Sequence, residues 1–246
     1  MPDELLICSN KERSIDMKKL TLGKGQRPGI RFNVNGIETR KNILHTAGLL
    51  FSKYGYAGTS FRDITRESQT GLGSLVYHFG MKENLFLATV STFFPTRERF
   101  EEIVDALDVC GAGASKEEVV QAVCSMVAAY LKEIHCNRRA AFLGKFYARL
   151  LLDATPDAAR VLADRMMPVQ EKTLEFAKRV NPALSEEQAK AWRRCLFSQI
   201  EYTMFSEKAV LEEFKLKSFK PDAIETIARN IAEISYPLLQ RENAGK

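Results

Sequence analysis

The stretch of sequence from Thr39 to Leu87 reads TRKNILHTAGLLFSKYGYAGTSFRDITRESQTGLGSLVYHFGMKENLFL. In its first part, apolar residues recur at helical spacing, and Gly55 is well placed to end the helix that this spacing predicts. The residues of the apolar face are Ile43, Leu44, Ala47, Leu50, Phe51 and Tyr54. We expect this helix to begin near Glu38 and to support the shorter segments that follow it.

Two short helices are predicted after the supporting helix. Ser60, followed three residues later by Asp63, is typical of a helix N-cap, and the helix that it opens extends to Ser68. A tight connection from Gln69 to Gly71 leads into a second helix over residues 72–79. Two short helices joined in this way form a helix-turn-helix unit, whose second short helix can enter a DNA major groove. The predicted core residues of the unit are Ile64, Leu75, Phe79 and Leu85.

The same stretch resembles the N-terminal DNA-binding domain of TetR-type transcriptional regulators over about residues 39–87. The residues that carry the resemblance lie at fixed spacing: Thr39, Arg40, Ile43, Leu44, Ala47, Phe51, Gly55, Tyr56, Thr59, Ser60, Asp63, Ile64, Leu75, Tyr77, His78, Phe79, Lys82 and Glu83. The resemblance implies a homodimer that binds a palindromic operator, with a helical C-terminal domain that binds a small effector and controls DNA affinity. It implies repression as the default action.

Nine residues are predicted to contact DNA: Ser60, Arg62, Leu72, Gly73, Ser74, Val76, Tyr77, His78 and Lys82. Ser60 caps a helix whose free N–H groups can face a phosphate, and the planar fork of Arg62 suits a phosphate or a guanine edge. By resemblance, Tyr77, His78 and Lys82 contact phosphates. The alternative for the first two is packing against neighbouring helices.

The turn departs from the family pattern. In the family it usually reads like Gly-Val-Ser, whereas in this chain it is Gln69-Thr70-Gly71. The groove-facing positions are apolar residues or glycine, so few hydrogen bonds to bases are expected from the second short helix. The hypothesis is that specificity comes from methyl contacts of Leu72 and Val76 with thymine, from Arg62, and from DNA shape or the N-terminal arm.

The net positive charge of the chain lies in its first third. The 246 residues contain 36 Lys and Arg against 31 Asp and Glu, a net charge of +5. Up to Phe86 there are 13 basic and 8 acidic residues, whereas the remainder is balanced. Such an excess suits a polyanion partner. We divide the chain into a flexible basic arm over residues 1–37, a helix-turn-helix domain over residues 38–87 and a helical domain over residues 88–246. The arm either lies along DNA or remains a solvated extension.

The predicted fold class is all-α, with a three-helix helix-turn-helix DNA-binding domain followed by a larger helical domain for effector binding and dimerisation. Helical stretches are expected near residues 138–153, 157–180, 186–206 and 221–240. Pro95 is expected to split the helical run from about Lys82 to Leu107, which connects the two domains. Our hypothesis is that effector binding tilts this connector.

The C-terminal domain carries two predicted sites. The dimer face is placed on residues 186–206 and 221–240, although the same apolar stripes could fill the core of one protomer. Its candidates are Leu196, Ile200, Ile227, Ile231 and Ile234. The pocket for an apolar or amphipathic effector is placed among aromatic and Met residues that could equally be ordinary core. Its candidates are Phe142, Phe146, Tyr147, Leu150, Met166, Phe176, Trp192 and Tyr202.

Several other classes of protein are not expected. There is no apolar run of about 18 residues for a membrane span and no signal peptide, so a cytoplasmic location is expected. Five scattered cysteines without a CxxC motif indicate reduced thiols. No P-loop, GxGxxG, GxSxG or HExxH motif occurs, so we expect neither an enzyme nor a cofactor nor a metal site. Two alternatives stay open: a redox- or metal-responsive regulator that uses Cys124, His135 and Cys136, and an effector-free architectural DNA-binding protein.

Overall fold

The computed structural model describes residues 34–136 and 142–240, and within these ranges the chain forms helices and turns without a strand. The helices are α1 (Val34–Tyr54), α2 (Phe61–Ser68), α3 (Leu72–Phe79), α4 (Lys82–Phe93), α5 (Arg97–Val104), α6 (Lys116–His135), α7 (Leu143–Asp153), α8 (Pro156–Val180), α9 (Glu186–Phe205), α10 (Glu207–Glu213) and α11 (Pro221–Leu239), with a 3₁₀ turn at Asp105–Val109. The predicted all-α class is confirmed for these residues. None of the described helices combines the length and the apolar composition needed to cross a bilayer.

The predicted limits of the helices in the DNA-binding unit are confirmed except at the start of α1. Helices α2 and α3 have the predicted limits, and α1 ends before Gly55, whose φ of 72° breaks the helix. However, α1 begins at Val34, so the assignment of residues 34–37 to the arm is wrong. Ile37 in this first turn is 52% exposed and so does not extend the buried apolar face of α1. The rest of the predicted arm, residues 1–33, lies outside the described residues.

Three of the longer helices begin directly after a polar N-cap residue. Ser115 opens α6 and Ser185 opens α9, each in a reciprocal capping box with the residue three positions later. Thr155 caps α8, and Pro156 occupies its first turn, where a missing N–H costs nothing. Pro168 lies inside α8 without ending it, because the helix is packed along its length against α5 and α9.

Pro95 divides the connector as predicted. Helix α4 ends at Phe93, and Thr96 caps α5 on the other side of the proline. Arg165 of α8 lies over this break: its Nη1 donates to Phe94 O at 2.8 Å and lies 3.4 Å from the carbonyl oxygens of Val90 and Pro95. The guanidinium therefore stabilises the carbonyl end of α4 and fixes it to α8.

The DNA-binding helices contact the rest of the fold through a second point. The ring of Phe142, directly before α7, lies 5.6 Å from the ring of His45 in α1 and 5.0 Å from that of Phe93 in α4. A Cβ atom added at Gly48 of α1 would lie 2.3 Å from Cζ of Phe142. The absence of a side chain at Gly48 is therefore what lets the ring lie against α1. The described residues from Asn35 onward form one compact unit.

Candidate nucleic-acid interface

Helix α2 begins at a reciprocal cap. Oγ of Ser60 accepts the Asp63 N–H at 3.2 Å, and Oδ2 of Asp63 accepts the Ser60 N–H at 3.1 Å. The Ser60 hydroxyl also donates to Oδ2 of Asp63 at 2.5 Å. The hydrogen bonds that the Asp63 carboxylate accepts from the Ser60 hydroxyl and N–H, and then the hydrogen bond and charge of Arg66, lower the pKa of this carboxyl. The predicted N-cap is confirmed. The N–H groups of Phe61 and Arg62 have no partner within the helix and remain at its start.

The turn between α2 and α3 is fixed by hydrogen bonds to both of its ends. Gln69 adopts the left-handed conformation, with φ of 53°, and thereby ends α2. The hydroxyl oxygens of Ser68 and Thr70 are 2.8 Å apart, and Nδ2 of Asn42 donates to Ser68 O at 2.8 Å. Since Asn42 belongs to α1, the supporting helix sets where α2 ends and α3 starts.

Beneath the turn lies the predicted core. Ile64, Leu75 and Leu85 are fully buried, and Phe79 is nearly so. Arg40 of α1 covers the ring of Phe79, with its guanidinium carbon 5.3 Å from the ring centroid. This core fixes which side of α3 faces inward and so which side faces outward.

The outward side of α3 is an exposed apolar surface, which we call the α3 face and define as Leu72, Gly73, Val76 and Tyr77. Leu72 is 53% exposed, Val76 46% and Tyr77 85%. A Cβ atom at Gly73 would meet nothing within 4 Å, so the backbone there is open to close approach. Three large apolar side chains left outward on an eight-residue helix mark a contact surface.

The other two predicted contact residues of α3 are less exposed. Ser74 and His78 are half-buried at the border of the α3 face. The His78 ring lies 5.2 Å from the Tyr77 ring and 6.0 Å from the Phe79 ring. His78 thus lies beside its own neighbours on α3, whereas Tyr77 extends into solvent, and the phosphate contacts of both residues stay predictions.

Two unpaired cations lie beside α3. Arg62 is exposed and forms no ion pair with any residue that the structure describes, whereas Arg66 on the same helix pairs with Asp63 and Glu67. Lys41 is also exposed and unpaired within the described ranges, and it lines a surface groove with Gln69 and Thr70 next to the start of α3. The sequence interpretation missed Lys41, because only tertiary packing brings α1 beside this turn.

Lys82 is anchored within the unit. Its Nζ donates to Tyr56 O at 3.0 Å and to Thr59 O at 3.1 Å, and it lies 4.2 Å from the centroid of the Tyr56 ring. Tyr56 in turn donates its hydroxyl proton to Glu83 at 2.9 Å. The start of α4 is thereby fixed to the turn between α1 and α2, and one N–H of the Lys82 ammonium remains for another acceptor.

The predicted effector residues separate into three places. Phe142, Phe146, Tyr147, Leu150 and Met166 are buried in one group, in which the Tyr147 hydroxyl donates to Met166 Sδ at 3.1 Å. Phe176 and Trp192 form a buried pair with their rings 5.8 Å apart. Tyr202 does not join either group, because its side chain is 49% exposed on the outer side of α9. It lines the groove between α9, α10 and α11, and its assignment to the effector pocket stays a prediction.

The predicted dimer stripe also needs correction. Leu196 and Ile200 are fully buried inside the single chain, so they do not form a contact surface. Ile227 and Ile231 form the floor of a groove of about 340 Å³ between α9, α10 and α11, and Ile234 on its wall is 64% exposed. On each helix the most apolar stripe faces the core of the protomer. The exposed positions that remain are Tyr202, Phe205 and Ile234.

The residues of the redox or metal alternative do not form a cluster. Burial raises the pKa of the Cys124 and Cys136 thiols, which disfavours the reactive thiolate. His135 is half-buried, with its ring 4.1 Å from the Phe219 ring and its Nε2 3.2 Å from Thr203 Oγ1, and desolvation lowers its pKa to about 4. Among residues 34–136 and 142–240, no three His, Cys, Asp or Glu side chains converge as metal ligands would.

Both halves of the chain match known family models. Residues 43–89 match the model described as bacterial regulatory proteins, tetR family. Residues 120–240 match the model described as the C-terminal domain of the HTH-type transcriptional dual regulator CecR. The two matched segments cover α2 and α3 with most of α1 and α4, and almost all of α6 to α11.

Individual relatives match over shorter lengths. The HTH-type transcriptional regulator LmrA of Bacillus subtilis is 35% identical over 102 residues, which are 41% of this chain and 47% of LmrA. The HTH-type transcriptional repressor AcnR of Corynebacterium glutamicum is 40% identical over 50 residues, 20% of this chain and 27% of AcnR. The chain therefore spans less than half the length of these two relatives.

One solved structure extends the likeness of fold to most of the chain. NalD, the secondary repressor of the MexAB-OprM multidrug efflux pump in Pseudomonas aeruginosa, superposes with a TM-score of 0.56 over 82% of this chain and 96% of NalD. The sequences are 14% identical, so this likeness concerns the fold alone.

Proposed function

Because the chain belongs to the TetR family of transcriptional regulators, which are DNA-binding proteins and not enzymes, we propose that it is a cytoplasmic repressor that binds a palindromic operator as a homodimer. A small apolar or amphipathic effector in the C-terminal domain releases it. The α3 face is the observation that carries the proposal, since an exposed apolar surface on a short helix of a helix-turn-helix unit has the form of a recognition helix. AcnR is named as a repressor, which supports repression in this chain.

In the proposed complex, α3 lies in the major groove. Leu72 and Val76 contact thymine methyl groups, and Gly73 allows the backbone to approach the base edges. Few hydrogen bonds to bases are available from this surface, so DNA shape and Arg62 supply the remaining specificity. Ser74 lies at the border of the contact.

Phosphate contacts surround this helix. The N–H groups of Phe61 and Arg62 at the start of α2 are free for a phosphate, because the capping box occupies those of Ser60 and Asp63. Tyr77 and His78 contact a phosphate near the end of α3. The third N–H of the Lys82 ammonium faces the same strand, and Lys41 adds a charge beside the start of α3.

We place the dimer face on the outer sides of α9 and α11, where Tyr202, Phe205 and Ile234 remain exposed in the single chain. A two-fold axis there would set two α3 helices about 34 to 36 Å apart, so that they read successive major grooves on one side of the duplex. The face is apolar, so dimerisation is expected to depend little on salt. DNA binding is expected to weaken steeply with salt, since phosphate contacts release counterions.

The test selects operator sequences from genomic fragments with the purified full chain and then measures affinity for the selected site. Leu72→Ala on the α3 face and Leu152→Ala on α7 form a matched pair, since both side chains are exposed, at 53% and 69%. We expect Leu72→Ala to weaken binding at least fivefold and Leu152→Ala to leave it unchanged. Equal affinities of the two variants, or selected sites without two-fold symmetry, would contradict the proposal.

A further inference from the structure

A cleft of about 200 Å³ opens between α8 and α9 and was not among the sites predicted from the sequence. Its apolar wall consists of Met166 and Val169 from α8 and Phe197 from α9. Glu201 lies toward one end of its α9 side, and Arg193 and Arg194 lie toward the other. The cleft thus carries charges of both signs on either side of an apolar middle.

Glu201 is a half-buried carboxylate without a partner in the described part of the chain. No Lys, Arg or His nitrogen of those residues lies within ion-pair distance, and no hydrogen bond to its side chain is present. Burial raises the pKa of this carboxyl. A desolvated charge without a counterion is unfavourable, so the Glu201 carboxylate is stabilised when a cation enters the cleft and pairs with it.

The neighbouring hydroxyl groups do not satisfy this carboxylate. Tyr130 and Tyr147 are buried with their hydroxyl oxygens 2.7 Å apart, and the Tyr147 proton is donated to Met166 Sδ. Burial raises the pKa of both hydroxyls, and the negative charge of Glu201 adds to the rise. With one proton donated between the tyrosines and the other to sulfur, neither hydroxyl is left to donate to Glu201.

The opposite end of the cleft is cationic. Arg193 and Arg194 form no ion pair with any residue in the described ranges, and Arg193 makes only a long contact of 3.4 Å with Gln170 O. At a helical rise of about 1.5 Å per residue, the two arginines are displaced by about 10 to 12 Å from Glu201 along α9. A purely cationic ligand would be repelled at this end, and a purely anionic one would be repelled by Glu201.

We propose that the cleft binds a small zwitterion with its amine on Glu201, its anionic group on Arg193 and Arg194, and an apolar spacer against Phe197 and Met166. The amine also lies against the Phe197 ring, which favours a cation. This inference deepens the proposed function, since it names the chemical class of the effector, and it rests on that function for its regulatory meaning. The binding step is measured without DNA.

The test uses 6-aminohexanoate as the probe, with hexylamine and hexanoate as analogues that keep only one of its two charges. Trp192, the single tryptophan of the chain, adjoins Arg193 and reports binding by its fluorescence, with calorimetry as the second measurement. We expect 6-aminohexanoate to bind at least tenfold more tightly than either analogue. Absence of binding, or equal binding of hexylamine, would overturn the proposal.

Three variants make the test specific. Glu201→Gln is expected to weaken 6-aminohexanoate binding at least tenfold without lowering the melting temperature, because the carboxylate has no partner to lose. Glu175→Gln removes an exposed charge from α8 and is expected to change nothing. The double substitution Arg193→Gln with Arg194→Gln is expected to abolish the preference for the zwitterion over hexylamine. Wild-type binding by Glu201→Gln would overturn the assignment.

Operator affinity, measured with and without 6-aminohexanoate, separates the two levels of the proposal. If the chain binds its operator and no zwitterion enters the cleft, the inference fails while the proposed function stands. If the zwitterion binds with the expected dependence on Glu201 but no operator can be selected, the proposed function fails while the cleft assignment stands.

Discussion

The substitution Gly48→Ala tests the contact by which Phe142 lies against the supporting helix of the DNA-binding unit. The added Cβ would lie 2.3, 2.5 and 3.1 Å from three atoms of the Phe142 ring. To reach an ordinary contact of 3.4 Å, the nearest ring atom must retreat by about 1.1 Å. The ring has little room to do so, since it also contacts His45, Phe93 and Phe146.

Two opposing effects set the expected magnitude. Replacing glycine by alanine inside a helix stabilises it by about 1 kcal/mol, whereas overpacking a well-filled core costs about 1 to 3 kcal/mol. We therefore expect Gly48→Ala to lower the free energy of unfolding by between about 0 and 2 kcal/mol. In a Phe142→Ala background the clash is absent, so Gly48→Ala should raise the free energy of unfolding by about 1 kcal/mol.

The assay is urea unfolding followed by circular dichroism, for the wild type, both single variants and the double variant. All four are measured at one protein concentration, because dimerisation contributes to stability. The double-mutant cycle should give a coupling energy of about 1 to 3 kcal/mol between positions 48 and 142. A gain of about 1 kcal/mol from Gly48→Ala in both backgrounds would mean zero coupling and would refute the tight contact.

Three further predictions concern single side chains. Ser60→Ala removes the cap of α2 and should lower the free energy of unfolding in urea by about 1 kcal/mol. A loss of less than about 0.3 kcal/mol would contradict the stabilising role of the Ser60–Asp63 capping box. Lys82→Met removes two charge-assisted hydrogen bonds to backbone carbonyls and should lower the free energy of unfolding by about 1.5 to 3 kcal/mol. It should also reduce the slope of log affinity against log salt for operator binding by about 2 per dimer. An unchanged slope would confine Lys82 to its structural role. Burial lowers the pKa of His135 to about 4, so between pH 6.5 and about 4 the unfolded chain binds more protons than the folded one, and stability should fall by about 1.4 kcal/mol per pH unit as the pH decreases. His135→Gln should lose that part of the pH dependence, and urea unfolding at several pH values that shows identical slopes would contradict it.

Local signals made the DNA-binding unit predictable. Ser60 with Asp63, the left-handed residue at the end of α2 and the positive φ of Gly55 are fixed by a few neighbouring residues, and the predicted helix limits there are confirmed. The break between α4 and α5 is equally local, because Pro95 itself prevents the helix from continuing. The start of α1 lies four residues before the predicted one, and the exposed side chain of Ile37 in its first turn does not continue the apolar face that the prediction followed.

Tertiary arrangement accounts for what the sequence could not indicate. An apolar stripe on α9 has the same spacing whether it meets its own core or a second protomer, and only the packed chain shows Ile200 buried and Tyr202 exposed. The Phe142 contact at Gly48 joins residues 94 positions apart along the chain, and Glu201 is isolated because the cations of α8 lie outside ion-pair distance of its carboxylate. No motif encodes these relations.

The contacts at the two ends of α4 bear on how an effector in the C-terminal domain could affect DNA binding. At its start, Lys82 holds the turn between α1 and α2, and at its end Arg165 holds the carbonyls around Phe94. Arg165 adjoins Met166, which contacts both the Tyr147 hydroxyl and the cleft, so a displacement of α8 reaches α4 through one residue. A twelve-residue helix is about 18 Å long, and a tilt of about 10° moves one end by about 3 Å relative to the other. That displacement is close to the spacing of one base pair, about 3.4 Å, so a change of this size in each protomer would take the second recognition helix out of register with its half-site.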